Sequence, residues 1–173
     1  MGKVLLDRVI FTDYGQLDLG WVDSFGFDGD VDRFFADQVN GVVGAADATG
    51  LYVNLARRSG GSHVRIELCD SPSDARELWE DVVEVLVSIP DGARPRWASW
   101  AGEDGGPLAI PPGTYRLRVS ARGRDDGRDG EFVEGVVDTY LLELWPAPPA
   151  PDAVLRVGSL DAAYWHREVG GRR

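Results

Sequence analysis

Cysteine, histidine and lysine are scarce in this sequence, and each scarcity excludes a class of protein. Cys69 is the only cysteine, so an internal disulfide and a structural zinc site built from several cysteines are excluded. His63 and His166 are the only histidines, and neither lies in a motif with metal-ligand spacing. Lys3 is the only lysine, so arginine supplies nearly all of the positive charge. We therefore expect no metal and no cofactor.

Long hydrophobic runs are also missing. No stretch approaches the roughly 20 apolar residues that a membrane-spanning helix needs. The apolar run over residues 4–6 is too short for the core of a signal peptide, because Asp7 interrupts it. Together with the single cysteine, these absences predict a cytoplasmic protein without a membrane partner.

Basic residues are fewer than acidic residues. The sequence has 29 acidic against 18 basic residues, a net charge of -11 at pH 7. A negative field of this kind repels nucleic acid and anionic membrane surfaces, so neither is an expected partner. It attracts cationic surfaces, including the basic clefts of other proteins. The alternative is that the charge only keeps the protein dispersed in water.

The sequence is rich in glycine, proline and large apolar residues. It contains 22 Gly and 10 Pro, as a fold with many turns requires, and its 43% hydrophobic residues suffice for the core of one domain. Apolar and alternating stretches between the turns predict about eight strands and little helix. The predicted strands cover residues 4–12, 16–21, 51–56, 63–69, 80–87, 95–101, 114–122 and 136–145. The predicted fold class is all-β, an antiparallel β-sandwich with a short C-terminal helical tail; a barrel is the alternative.

Three of the predicted strands carry specific expectations. The strands over residues 51–56 and 63–69 are separated by a glycine-rich turn, so we expect them to pair as a hairpin. The strand over residues 136–145 is the most hydrophobic, so it is expected at the centre of its sheet.

One face of the strand over residues 114–122 is basic. Alternation places Arg116, Arg118 and Arg122 on the same face. We expect these arginines to pair across strands with acids such as Glu143. A small anion-binding stripe is the alternative.

The composition changes after Trp145. Residues 1–145 are expected to form the β-sandwich domain. Residues 146–173 are expected to form a Pro-rich segment and an aromatic tail, packed on the same domain. The prolines of residues 146–151 make that segment stiff and extended, whereas helical spacing of apolar residues predicts a short helix over residues 159–169.

Two acidic loops are the candidate partner-binding sites. The candidate residues are Asp125, Asp126, Asp129, Glu131 and Glu134 in the loop over residues 123–135, and Asp28, Asp30 and Asp32 in the loop over residues 23–37. Carboxylates on such loops can stand in for phosphates on a cationic protein surface. Charged loops are also common as solvated surface without a partner, which is the alternative.

A cation site and a catalytic pair of acids are further alternatives. The run from Asp28 to Asp32 begins like a calcium loop, but Arg33 stands where glycine is needed and Val39 where the bidentate glutamate belongs. A looser cation site on the three aspartates stays open. Hydrolysis by paired carboxylates needs a pocket that joins two acids, and no motif marks one. Because no nucleophile motif surrounds Cys69, we expect a buried structural thiol and a protein that is not an enzyme.

Three stretches resemble the competence protein J family, whose members inhibit a bacterial DNA-entry nuclease. They are Asp13–Leu19, Gly44–Leu51 with the following hairpin over residues 52–68, and Ile110–Leu117 with Asp138–Leu142. Their order and spacing are similar to the family's across residues 8–145. The resemblance implies a protein-binding role, with a basic protein, a nuclease, as the partner. The chain differs from the family in the segment after Trp145 and in its acidic loop over residues 23–37.

Charge and resemblance together predict a non-enzymatic, acidic protein-binding module. It is expected to inhibit a nuclease by occupying the cationic cleft that binds DNA. The alternative is a ligand- or cation-binding β-sandwich that uses the acidic loops.

Overall fold

Two β-sheets stack on each other and enclose the hydrophobic core. The computed structural model describes residues 2–171, apart from the side chains of residues 75 and 76. The strands are β1 (Lys3–Asp13), β2 (Gln16–Gly20), β3 (Val43–Gly44), β4 (Gly50–Asn54), β5 (Ser59–Leu68), β6 (Asp81–Ile89), β7 (Arg96–Ser99), β8 (Gly105–Pro107), β9 (Gly113–Arg122), β10 (Thr139–Pro146) and β11 (Ala153–Arg156). The helices are α1 (Val31–Phe34), α2 (Arg124–Asp129) and α3 (Leu160–Glu168), with 3-10 turns at Ala75–Leu78 and Trp100–Gly102. The all-β sandwich prediction is confirmed.

The strand order defines a six-stranded and a five-stranded sheet. The larger sheet has the order β1-β5-β10-β9-β6-β11, and the smaller has the order β3-β4-β2-β7-β8. Neighbouring strands are antiparallel except for β5 and β10, which run parallel. The most hydrophobic strand, β10, lies third in its sheet between β5 and β9, as its composition predicted.

Alternating side chains of both sheets form one core. Leu117 and Val119 of β9 belong to the same buried cluster as Leu142 of β10 and Leu17 of β2. This pattern follows from the two-residue period of a strand, which directs every second side chain to one face. Within residues 2–171 eleven strands form, where about eight are predicted from the alternation. The additional strands are short, and β3, with two residues, cannot show a period.

The predicted hairpin of the 51–56 and 63–69 strands is wrong. β4 pairs with β2 and β3 in the smaller sheet, whereas β5 pairs with β1 and β10 in the larger sheet. Every residue of β4 is buried, so this strand needs a neighbour on each side and a covered face. The chain between residues 54 and 59 therefore crosses from one sheet to the other.

The basic stripe pairs across strands with an acid, as predicted, but the acid is Glu84 rather than Glu143. Arg118 lies between Glu84 of β6 and Glu143 of β10 in the register, and its Nε donates to Glu84 Oε2 at 2.9 Å. Arg116 Nε donates to the other oxygen of Glu84 at 3.0 Å. Both guanidiniums donate to the carboxylate of Glu84, and neither donates a hydrogen bond to Glu143.

The segment after Trp145 continues the sheet instead of ending it. β11 follows the prolines and pairs antiparallel with β6, which makes it an edge strand. The predicted tail helix forms as α3, and the Ser159 hydroxyl caps it by accepting a hydrogen bond from the Ala162 backbone N–H at 3.0 Å. Ala162 is fully buried in the main core. Residue 1 and residues 172–173, the ends of the two predicted segments, lie outside the described residues.

Candidate partner-binding surface

The first acidic loop contains a helix that packs on α3. Gly123 takes a φ of +82°, and a Cβ there would lie 2.2 Å from the carbonyl oxygen of Val137, so only glycine fits. The next residue, Arg124, is fully buried and its guanidinium contacts Asp161 of α3. The prediction of a loop over residues 123–135 is therefore wrong for α2, because the glycine turn starts a helix anchored by a buried arginine.

Asp125 is a structural residue rather than a free surface carboxylate. Its Oδ2 accepts a hydrogen bond from the Leu160 backbone N–H at 3.0 Å, and its Oδ1 accepts one from the Asp161 N–H at 2.8 Å. These N–H groups belong to the first turn of α3, where helical donors have no partner within the helix. Asp125 therefore caps α3 from a neighbouring helix.

The other candidates of this segment face solvent. Asp126, Asp129 and Glu134 are exposed, and Glu131 is half-buried. Asp129 forms an ion pair with its neighbour Arg128 at 3.2 Å. Asp126, Glu131 and Glu134 form no ion pair with any residue that the structure describes. These three carboxylates are therefore available to a cationic partner.

A buried arginine fixes the chain that carries Glu131 and Glu134. Arg57, only 3% exposed, donates hydrogen bonds to the carbonyl oxygens of Gly61 at 2.9 Å and Gly135 at 2.7 Å. It also donates to the carbonyl oxygen of Val133. One guanidinium thus ties the segment after α2 to the start of β5, so the acidic side chains project from an ordered loop.

Apolar side chains stand beside these carboxylates. Phe132 is 91% exposed, between Glu131 and Glu134, and Phe11 of β1 is 69% exposed. Phe11 and Phe132 line the same groove on the surface, together with Val9, Val133 and Val136. Exposed aromatic residues flanked by charge are typical of protein–protein contact sites.

The second acidic segment is organised around Arg33. Asp28 Oδ2 accepts a hydrogen bond from Arg33 Nη2 at 3.0 Å, and Asp30 Oδ1 caps α1 by accepting one from the Arg33 backbone N–H at 3.1 Å. The backbone N–H of Asp30, with help from the Arg33 guanidinium, lowers the pKa of the Asp28 carboxyl. Asp32 lies in the exposed first turn of α1. Arg33 thus already neutralises Asp28, the first of the three aspartates of the alternative cation site.

Helix α3 connects the two acidic segments. It contacts α2 through Arg124 and Asp161, and its Val169 packs against Phe34 and Phe35 of the α1 segment in a second apolar cluster. The two acidic segments therefore contact opposite ends of α3.

A cleft of about 470 Å³ opens between α2, α3 and the end of β4. Its lining includes Tyr14, Tyr52, Arg58, Arg128, Tyr164 and Trp165. Burial raises the pKa of the Tyr52 hydroxyl, so this group remains a hydrogen-bond donor. The Tyr52 ring stacks on Phe27 of the second acidic segment with 3.8 Å between ring centres. Sequence reasoning missed this cleft, because its residues come from four separate stretches of the chain.

A second cleft, of about 440 Å³, is lined by carboxylates. Asp18 is 4% exposed, and its Oδ2 accepts hydrogen bonds from Gln16 Nε2 at 2.7 Å and the Phe27 N–H at 3.4 Å. Burial raises the pKa of Asp18 to about 6. Asp104, on the same lining, is paired with Arg8 at 2.6 Å. Asp104 thus already has a structural partner, whereas Asp18 Oδ1 is buried without a hydrogen-bond partner among the described residues.

The two stacked sheets, with α2 and α3 packed together beside them, define a class of all-β sandwich proteins. Solved structures of this fold include ComJ from Bacillus subtilis, described as an inhibitor of the DNA degrading activity of NucA. The TM-score is 0.57 and the sequence identity 17%, over 85% of this chain and 99% of ComJ. The fold is therefore ComJ-like, as the resemblance implied.

A second solved structure shares the fold. The protein of crocagin biosynthetic gene J matches with a TM-score of 0.51 and 14% identity, over 86% of this chain and 99% of that chain. No family model matches the sequence, and no curated protein sequence matches it. Among residues 2–171, no helix is long and apolar enough to cross a membrane.

Proposed function

We propose that this protein is a non-enzymatic protein-binding module that inhibits a nuclease by covering its cationic DNA-binding cleft. The observation that carries the proposal is the group of unpaired carboxylates on Asp126, Glu131 and Glu134, held on an ordered segment of a protein with a net charge of -11. The ComJ-like fold supports it, because ComJ is described as a nuclease inhibitor.

Electrostatics favours this kind of partner. A nuclease that binds DNA presents arginine and lysine side chains to phosphates, and carboxylates at similar positions attract the same side chains. The complementary fields accelerate association, and added salt screens them. Binding through this surface is therefore expected to weaken as the salt concentration rises.

The neighbouring apolar groups supply the remaining contact. Binding energy at protein interfaces is concentrated in a few aromatic anchors surrounded by polar residues. Phe132 has the exposure and the position for such an anchor, since Glu131 and Glu134 flank it. Its loop is held by Arg57, so little conformational entropy is lost when it binds.

The test uses charge reversal on two surfaces. The protein is used to capture a nuclease from lysate of its native host at low and at physiological salt, and the captured nuclease is then assayed for DNA cleavage. The variant Asp126→Lys/Glu131→Lys/Glu134→Lys is compared with Asp70→Lys/Asp74→Lys/Asp91→Lys. The second set changes the net charge equally, on exposed residues elsewhere.

We expect the first variant to raise the concentration needed for half-inhibition by about tenfold or more, and the second to change it little. Equal effects of the two variants would show that only net charge matters. The proposal fails if no captured nuclease is inhibited, or if the first variant inhibits as well as the unmodified protein does.

A further inference from the structure

A thiol and two carboxylates converge on the outer face of the larger sheet. Glu67 lies near the end of β5, Cys69 follows that strand, and Glu143 is the register partner of Glu67 on β10. Residues 67 and 69 share a face because side chains alternate along an extended chain. One ligand atom from each of the three residues lies within 4.8 Å of the other two. The Cys69 backbone N–H donates to the Leu144 carbonyl oxygen at 2.7 Å, which holds the thiol beside β10.

Glu143 is the unexplained member of this group. It is 4% exposed, yet its carboxylate makes no hydrogen bond and no ion pair with any residue in the described part of the chain. Its cross-strand neighbour Arg118 is occupied by Glu84. Its oxygens are not among the fully buried atoms without a hydrogen-bond partner in the described residues, so they retain some contact with solvent and a cation can reach them.

Gly2 lies directly beside the other two ligand atoms. Arg65 Nε donates to Glu67 Oε1 at 2.5 Å, which fixes this carboxylate and leaves Oε2 without that partner. A Cβ on Gly2 would lie 2.8 Å from both Glu67 Oε2 and Cys69 Sγ. Residue 2 therefore leaves room next to the thiol and the carboxylate only because it has no side chain.

We propose that Glu67, Cys69 and Glu143 bind a divalent metal ion of the zinc class. Zinc accepts thiolate and carboxylate ligands together, at about 2.3 Å and 2.0–2.2 Å, whereas calcium and magnesium require oxygen ligands alone. A tetrahedron with these bond lengths has edges of roughly 3.5 Å. Small side-chain movements from the observed spacing would reach that geometry, and water would complete the fourth position.

The charges of the group fit this ion. Glu67 and Glu143 place two carboxylates beside the Cys69 thiol. A dication compensates the crowded negative charge, and the thiol releases its proton when the metal binds. The ion would join the end of β5 to β10, two parallel strands far apart in sequence, and so stabilise the folded state by mass action.

Cadmium is the probe, since its thiolate complexes absorb in the ultraviolet and it occupies zinc sites. The reduced full-length protein is titrated with Cd²⁺, then with Zn²⁺ as competitor, and its melting temperature is recorded with and without Zn²⁺. The variants are Cys69→Ser and Glu143→Gln. The controls are His63→Ala, which removes the histidine of β5, and Glu134→Gln on the acidic loop.

We expect one Cd²⁺ per chain, a thiolate charge-transfer band that Cys69→Ser abolishes, and affinity about tenfold or more weaker in Glu143→Gln. Zn²⁺ should raise the melting temperature of the unmodified protein and of both controls. The proposal is overturned if the band is absent, if Glu143→Gln binds as tightly as the unmodified protein, or if His63→Ala abolishes binding. If Cys69→Ser does not fold, the Cd²⁺ affinity of Glu143→Gln tests the proposal.

Discussion

Arg124 and Asp161 form an ion pair that is closed to solvent and joins α2 to α3. Arg124 Nη2 lies 2.7 Å from Asp161 Oδ2, and Arg124 Nε donates to the same oxygen at 3.0 Å. The guanidinium also donates to the Asn54 carbonyl oxygen at 2.8 Å. The same arginine thus anchors both helices to the end of β4, beneath the tyrosine-lined cleft.

Removal of this arginine is expected to destabilise the whole domain. Arg124→Met leaves Asp161 as a buried charge without its partner, and such a loss costs about 3–5 kcal/mol. Urea unfolding followed by tryptophan fluorescence gives the free energy of unfolding. The matched control is Arg167→Met on the exposed face of α3, whose pair with Glu168 is solvated and contributes roughly 0–1 kcal/mol. Similar losses in both variants would contradict the assigned role of Arg124.

Neighbouring aspartates of α2 are expected to behave differently. Asp125→Ala removes two hydrogen bonds to the first turn of α3, so we expect a loss of about 1–2 kcal/mol in the free energy of unfolding. Asp126→Ala touches no such contact and should change stability by less than about 0.5 kcal/mol. In the nuclease assay, by contrast, Asp126→Ala should weaken inhibition although it leaves the stability unchanged. Thermal and urea unfolding of both variants check the first part.

The stability of the protein is expected to depend on Asp18 between about pH 4 and pH 6. Its pKa is about 6 in the folded protein against 3.8 as the ordinary value, so the folded state binds the proton more tightly than the unfolded state does. Stability from this group therefore falls as pH rises through that window. Asp18→Asn should remove the dependence and raise stability at pH 7 by about 2–3 kcal/mol relative to the unmodified protein. Unfolding curves of both proteins at pH 4, 5, 6 and 7 test this. If the free energy of unfolding changes with pH in the same way in Asp18→Asn and in the unmodified protein, the prediction is contradicted.

His166 is expected to act in the opposite direction. Its Nδ1 accepts a hydrogen bond from the Gly41 N–H at 3.0 Å, and its Nε2 is buried. Burial, with the nearby Arg124 charge, lowers the pKa of His166 below its ordinary 6.5. The unfolded chain therefore takes up a proton first, and stability falls as pH drops below about 6.5. An NMR titration with His63→Ala for assignment should give a pKa of His166 below 6.5; a higher value would refute the buried neutral ring.

Arg57 is expected to control the order of the acidic loop. Arg57→Gln removes hydrogen bonds to the carbonyl oxygens of Gly135 and Val133, while all the carboxylates of the loop remain. We expect amide hydrogen exchange in residues 131–136 to accelerate by about tenfold or more. Nuclease inhibition should weaken because an ordered loop becomes mobile. Unchanged exchange in the variant would show that the loop holds its conformation without Arg57.

The alternation of side chains was sufficient to predict the fold class and the central position of β10. It could not predict which strands pair, because β4 and β5 are both apolar and adjacent in the chain but belong to different sheets. Short strands such as β8, with three residues, carry no period. The tail helix was predictable because its apolar residues repeat at helical spacing.

The candidate surface was predictable in part. Composition identified the acidic segments, but it could not separate Asp125, which caps α3, from Asp126, which faces solvent. Arg57 and Arg124 resemble surface arginines in sequence, and only tertiary contacts with distant carbonyls and Asp161 explain their burial. The cleft around Tyr52 likewise depends on contacts between distant segments, on which local patterns carry no information.

The parallel pairing of β5 with β10 has a kinetic consequence. His63 meets Thr139 only after the chain that forms β6, β7, β8 and β9 has been accommodated. Closing such a large loop costs conformational entropy before the stabilising contacts between β5 and β10 form. The antiparallel pair of β9 and β10 encloses only α2 and a short loop, so we expect these two strands to pair early in folding. Refolding of this protein should therefore be slow, on the order of milliseconds to seconds, with the junction of β5 and β10 formed late.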